Sequence, residues 1–267
     1  MGTAAEFLGA RLSEVGDAIF ELGEEIHGAF GGVFGGAVAA ACLMAARPAA
    51  LGRRPFSLHT TFVRGLATPT CRASVEVVNS GRTISTVVVD LHDEAGKLAA
   101  RSTATFAAPE ALSPQAHPGR VAAPELSEFD EGATISFGGP KQAPIVAILE
   151  PRMVGQPSGG YAHAVRIPWD ADPATSAEAA CMAADFCVGI PVGSALSEFV
   201  PMPNPDLSLR FLGEESDDVM IGVGRLARLD AGVAGTQVEV WTGSGTIVAI
   251  GLSSTVLLGG ASRAPAR

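Results

Sequence analysis

The sequence predicts an α+β fold built twice in tandem, and three observations predict it. Two Ala-rich stretches, residues 37–46 and 176–190, are apolar on nearly every face, the pattern of a helix buried on all sides. Each is followed by four runs of β-branched residues in rough period-two alternation, the mark of strands with one buried face. One half also slides onto the other. Adding 149 takes Leu58 to Leu207, Phe62 to Phe211, Gly96 to Gly245, Leu98 to Ile247, Ala100 to Ala249 and Phe20 to Trp169. Matches that keep the order of elements at one ungapped shift identify an internal repeat.

The elements follow in order. Residues 10–22 read as a hairpin, with alternation on either side of the turn dipeptide Gly16-Asp17. A glycine-rich run from Gly28 to Gly36 leads into the first apolar helix, which Pro48 and Gly52 end. Strands are predicted over 57–63, 71–78, 84–93 and 97–107, with Ser80-Gly81 and Ala95-Gly96 as turns. Residues 108–144 carry repeated prolines, several acids and few apolar runs, which predicts a surface linker. Strands at 145–154 and 161–169 then flank a Gly/Pro turn. The second apolar helix follows, with Thr175 or Ser176 as N-cap and Glu178 completing a capping box. Strands at 206–212, 219–230, 237–241 and 246–258 close the chain. The predicted units are 1–107, the linker 108–144, and 145–267.

Composition narrows the function. The 267 residues are 47% hydrophobic and 17% charged, a globular balance. A net charge of −10 repels polyanions, so neither nucleic acid nor an anionic membrane is an expected partner. The longest apolar stretch, 33–46, is too short to span a bilayer, and the N-terminus shows no signal-peptide pattern, so the cytoplasm is the expected location. The four cysteines, Cys42, Cys71, Cys181 and Cys187, form no C-x-x-C pair, and no histidine stands at ligand spacing, so no metal is expected. Three of them lie in apolar segments and read as small buried hydrophobes. There is no G-x-S-x-G nucleophile elbow. Gly222-Val223-Gly224-Arg225-Leu226-Ala227 lies inside a strand with no helix after it, so it is no dinucleotide site.

The order of elements, with a glycine-rich turn entering the helix, resembles the hotdog fold. FGGVFGGAVAAACLMAA, FSLHTTFVRG and VEVVNSGRTISTVVVDLHDEAGKLAARSTATFAAPE resemble the first half of the type II acyl-CoA thioesterases, double-hotdog enzymes related to the phenylacetate-pathway thioesterases. MAADF, NPDLSLRF and VEVWTGSGTIVAIGLSS follow the second half of the same family. The resemblance implies a tandem hotdog: two antiparallel sheets, each wrapping a central apolar helix, joined as a pseudo-dimer. It implies hydrolysis of an acyl-CoA thioester to acid and CoA. The substrate is then a small-molecule acyl-CoA, with no cofactor beyond the coenzyme A it carries. Pairing of two such chains into a homodimer is left open.

The repeat then singles out one residue. Asp185 stands midway along the second apolar helix, and the 149 shift pairs it with Gly36. The first helix has no carboxylate at all. A lone acid in an apolar helix is costly to bury without a partner, which makes it a functional candidate. The resemblance implies that such an aspartate activates water together with a threonine and a glutamine. Those two positions hold Asn204 and Ser253 here. Both can hydrogen-bond water, but neither reproduces the original geometry. That departure motivates a second reading, a non-catalytic acyl-CoA-binding protein. Backbone amides of Gly32, Gly35 and Gly36, at the positive end of the first helix, are the candidate oxyanion donors. Arg82, in the turn after the second strand of the meander, is the candidate contact for CoA phosphates.

Overall fold

The computed structural model describes residues 2–13, 17–113, 122–135, 143–198 and 200–259. The fold is α+β, one large antiparallel sheet with few helices. In chain order the elements are α1 (Ala4–Phe7), β1 (Arg11–Leu12), β2 (Ala18–Glu21), α2 (Gly35–Ala46), β3 (Arg54–Phe62), β4 (Thr70–Ser80), β5 (Ile84–Asp93) and β6 (Leu98–Ala107). Then come β7 (Ala133–Thr134), α3 (Ile145–Leu149), β8 (Arg152–Gly155), β9 (Tyr161–Arg166), α4 (Ser176–Val188), α5 (Ile190–Ser194), β10 (Asp206–Phe211), β11 (Val219–Asp230), β12 (Val233–Thr242) and β13 (Ile247–Val256).

The strand order is β1-β2-β4-β5-β6-β3-β10-β13-β12-β11-β9-β8-β7. Apart from the extra edge strand β7, it reads the same outward from the β3–β10 junction in both directions, and the register at that junction explains why. His59 pairs with Ser208, Leu58 with Leu209 and Thr60 with Leu207. Exchanging the halves by 149 residues turns the pair 58/209 into 207/60 and leaves 59/208 in place. A pseudo-twofold axis therefore passes through His59 and Ser208, whose side chains meet at 2.5 Å.

The repeat is kept to the residue in the meanders: β5 and β12, and β6 and β13, begin and end 149 residues apart. It is not kept earlier in each half. α2 starts at Gly35 and α4 at Ser176, which is 141 residues on. The second half has a longer helix-to-strand connection, 188 to 206 against 46 to 54, and α5 lies within it. The ungapped shift therefore fails for the helices. Counted from its helix start, Asp185 corresponds to Met44 and not to Gly36. Likewise the sheet registers equate Phe20, opposite Cys71, with Val165, opposite Met220, and not with Trp169.

α2 and α4 lie face to face and antiparallel. Gly36, at the start of α2, meets Asp185, and Arg47, just past its end, meets Glu178 in the first turn of α4. Both helices are buried along almost their whole length, as their mostly apolar sequences require.

Three local expectations change. Residues 145–154 are a short helix and a strand, not one strand: Glu150 takes a left-handed φ of 43° and Pro151 follows it, which ends α3. The linker contributes an edge strand, β7, paired with β8. Its Leu126 and Phe129 pack on the second half of the sheet, on a cluster that includes Ala162, Ala164, Ile221 and Trp241. Thr175 makes no side-chain cap, and Glu178 turns to Arg47 instead of closing a capping box. The predicted turn residue Gly16 and the linker residues 114–121 and 136–142 lie outside the described residues. Among the described residues, no helix is long and apolar enough to cross a membrane.

Candidate active site

The site is made where the first turn of α2 abuts the third turn of α4. The first amides of a helix have no partner within it. Phe34, the residue before α2, offers no side-chain cap. The cap comes from the other helix: Asp185 Oδ2 accepts the Gly36 N–H at 2.9 Å. Asp185 Oδ1 accepts from Asn204 Nδ2 at 2.7 Å. Asn204 lies just before β10 and is pinned there from both sides. The Phe62 N–H of β3 donates to the Pro205 carbonyl, and the Asp206 carboxylate accepts from the Ser254 N–H and hydroxyl of β13.

Glycine is required for this approach. A Cβ on Gly36 would stand 2.6 Å from the Phe34 ring, 2.9 Å from the Cys181 carbonyl oxygen and 2.9 Å from Met182 Cα. A Cβ on Gly35 would stand 2.9 Å from both carboxylate oxygens of Asp185. Gly36→Ala is therefore expected to force the helices apart and cost about 1–3 kcal/mol, the usual range for overpacking. A urea titration checks this, and an unchanged midpoint would show that the helix pair yields without strain.

Asp185 is only 8% exposed. Burial raises its pKa from 3.8 to about 6, against the opposing hydrogen bonds from Asn204 and the Gly36 amide. The carboxylate therefore titrates just below neutrality, where a general base works best. The Gly35 N–H, next to the carboxylate and first in the helix, has no protein partner among the described residues.

The structure brings together Asp185, Asn204, Gly35 and Gly36. Other candidates are placed differently. The Gly36 amide is taken by Asp185 and is not free to hold an oxyanion. Gly32 packs on the backbone of Gly65 and Leu66, and its carbonyl accepts the Gly28 N–H, so it belongs to the loop. Ser253 is buried, but its hydroxyl donates to the Asp206 carbonyl at 2.7 Å and does not reach toward the carboxylate through a hydrogen bond. Arg82 is exposed in the β4–β5 turn. That turn is tied to the far end of α2, because Arg53 donates to the Gly81 carbonyl there.

Sequence reasoning missed the Arg47–Glu178 pair. Two bonds of 2.6 Å join the guanidinium to Glu178, which is fully buried. The signal available was Glu178 itself, a second acid in the same apolar helix. The cysteines are all free and buried, and burial pushes the thiols of Cys42 and Cys71 up to about 12, which makes them packing residues. Among the described residues, no group of three or more His, Cys, Asp or Glu side chains could hold a metal ion.

Comparison with known proteins adds to this geometry. Residues 25–107 match the model of the acyl-CoA thioesterase N-terminal domain, and residues 110–254 match that of the C-terminal domain. No curated protein sequence matches the chain. Among solved structures, a protein of Novosphingobium aromaticivorans described as a candidate thioesterase is 25% identical, with a TM-score of 0.78, covering 93% of this chain and 98% of its own. The TesB protein of Mycobacterium avium subspecies paratuberculosis is 17% identical, with a TM-score of 0.75, covering 96% and 98%. Acyl-CoA thioesterase II TesB2 of Mycobacterium marinum is 19% identical, with a TM-score of 0.75 and the same coverage. At those identities the last two speak for the fold alone.

Proposed function

The chain belongs to the acyl-CoA thioesterase family, and from that premise we propose that it hydrolyses an acyl-CoA thioester to the free acid and CoA, with Asp185 as the base. The observation that carries the proposal is the buried Asp185 carboxylate, held against the first turn of the opposing helix and titrating near 6. The fold is read as a double hotdog, with units 1–107 and 145–267 around α2 and α4, joined by the linker 108–144. The mirrored strand order and the axis at His59 and Ser208 support this reading.

The chemistry is a single addition and collapse. Ionised Asp185 takes a proton from water while the water oxygen forms a bond to the thioester carbonyl carbon. The carbonyl electron pair moves onto oxygen, and the Gly35 N–H, at the positive end of α2, stabilises it. The pair returns, the C–S bond breaks, and CoA thiolate leaves, taking the proton that Asp185 holds. Asn204 holds the carboxylate in place and acts through it. No cofactor enters these steps. Arg82, exposed in the β4–β5 turn, is assigned to CoA phosphates and takes no part at the reacting atoms. Ser253 has no part in the proposal.

The reaction needs the ionised carboxylate, so activity falls with acid. kcat/KM is expected to rise about tenfold per pH unit below 6 and to level off above it. Thiol release measured across this range, over a panel of acyl-CoAs, tests the proposal. A profile with no inflection near 6 would remove Asp185 as the base. The second reading, a non-catalytic acyl-CoA-binding protein, is favoured by the fact that both Asp185 oxygens already accept hydrogen bonds, as a purely structural cap would. Tight binding without thiol release across the panel would decide for it.

A further inference from the structure

His163 is buried in the same half of the molecule, and the active-site reading does not use it. It is 1% exposed, and neither ring nitrogen has a hydrogen-bond partner. Its ring lies 6.3 Å from that of Phe186, the residue after Asp185. It faces α4 from β9, on the same side of the strand as the core residues Val165 and Ile167. Beyond the end of β9, α3 is hydrogen-bonded through Ile145 to the His27 carbonyl, in the loop that leads into α2 and its Gly35 amide. The imidazole therefore packs between β9 and α4 beside Phe186, one residue along the helix from Asp185.

The repeat shows that the fold does not need a histidine there. His163 pairs with Gly222, and Ala18 pairs with Ala73. Gly222 and Ala73 are equivalent at the 149 shift that β4 and β11 keep, so the counterpart of His163 is Ala18, a buried small residue. Counted from the helix starts, the counterpart of Phe186 is Ala45. The half that carries the acid thus also carries an imidazole where the other half carries a methyl group. An apolar side chain would fill that space without penalty. A buried polar group without a partner is destabilising, so native structures seldom leave one.

We propose that His163 is a specificity-determining residue that hydrogen-bonds an oxygen on the acyl chain, so that the favoured substrates are acyl-CoAs bearing a hydroxyl or oxo group beyond the thioester carbonyl. Burial pushes the imidazole down to about 4. It is therefore neutral at working pH and offers one donor and one acceptor, which suits a hydroxyl through either nitrogen and an oxo group through the N–H. The inference rests on the acyl-CoA reading of the Asp185 site.

The test uses the full chain and a matched series: saturated acyl-CoAs, and the hydroxy- or oxo-substituted acyl-CoA of each same length. The wild type is expected to favour the oxygenated member by about tenfold or more in kcat/KM. His163→Phe should collapse that ratio, and His163→Gln, which keeps a donor and an acceptor, should retain part of it. If His163→Phe does not fold, as judged by a lost cooperative melt, the comparison of His163→Gln with wild type carries the test. Equal ratios in the wild type and variants overturn the inference and leave the thioesterase reading standing. Calorimetric binding of the same series separates the two claims. Tighter binding of the oxygenated members to wild type than to His163→Phe, with no thiol release from any, would sink the hydrolysis and keep the recognition.

Discussion

Asp185→Asn is expected to lower thioester hydrolysis by about 100-fold or more while leaving the protein more stable, not less, above pH 6. The amide is isosteric with the carboxylate. Its oxygen can still accept the Gly36 N–H, and Asn204 can turn its own amide to keep the second contact. The ability to take a proton is lost. The stability sign follows from burial. The carboxyl titrates at about 6 in the folded chain against 3.8 ordinarily, so the native state holds its proton more tightly than the unfolded state. That contribution is fully present below pH 3.8 and is lost as pH rises through 6. At pH 8 the wild type carries an ionised buried carboxylate at a penalty on the order of 3 kcal/mol, which the asparagine does not bear. Melting curves at pH 8 should place the variant above the wild type, and the gap should close toward pH 4. A variant that loses activity and also melts lower at pH 8 would show that the carboxylate serves α2 as a cap. Residues kept at such a cost in stability are typical of functional sites.

Arg47→Met is expected to cost about 3–5 kcal/mol. Glu178 is fully buried, and both of its oxygens depend on the Arg47 guanidinium. Removing the arginine leaves an uncompensated charge between two apolar helices. Replacing both residues, as in Arg47→Met with Glu178→Leu, removes the charge as well and should recover most of the loss. The Arg101–Asp90 pair is the control. Its arginine is 58% exposed, and breaking it should cost less than about 1 kcal/mol. Urea midpoints of the three variants give the comparison. A loss for Arg47→Met no larger than for Arg101→Met would show that water reaches Glu178. The pair also bears on function, because it ties the end of α2 to the start of α4 and so fixes the crossing that presents Gly36 to Asp185.

The strands were legible because their signal is local. Alternation at period two marks a half-buried strand, and turn glycines such as Gly96 and Gly245 fix its ends, so the 149 spacing holds residue for residue from β5 to β6 and from β12 to β13. The helices were legible as helices but not in register. An Ala-rich stretch apolar on every face has no periodicity to anchor an alignment, so the ungapped shift ran through α2 and α4 without meeting an obvious mismatch. The longer connection that carries α5 was hidden for the same reason. α3 was read as a strand because a run as short as IVAIL suits either structure until Glu150 and Pro151 end it.

The sequence by itself determined the α+β class, the doubled meander, the resemblance to the type II thioesterases, and Asp185 as the acid that an apolar helix has no structural reason to carry. It could do so because burial cost and alternation are properties of single residues and their near neighbours. Only the tertiary structure decided what surrounds that acid. Gly36, matched to Asp185 by the sequence shift, proved to be its hydrogen-bond donor and not its counterpart, while the Ser253 hydroxyl proved to donate to the Asp206 carbonyl. Those relations depend on how two helices cross and on where β10 begins, which set distances between residues 149 and 19 positions apart in the chain. No local pattern encodes such distances, because they arise from packing the whole core at once.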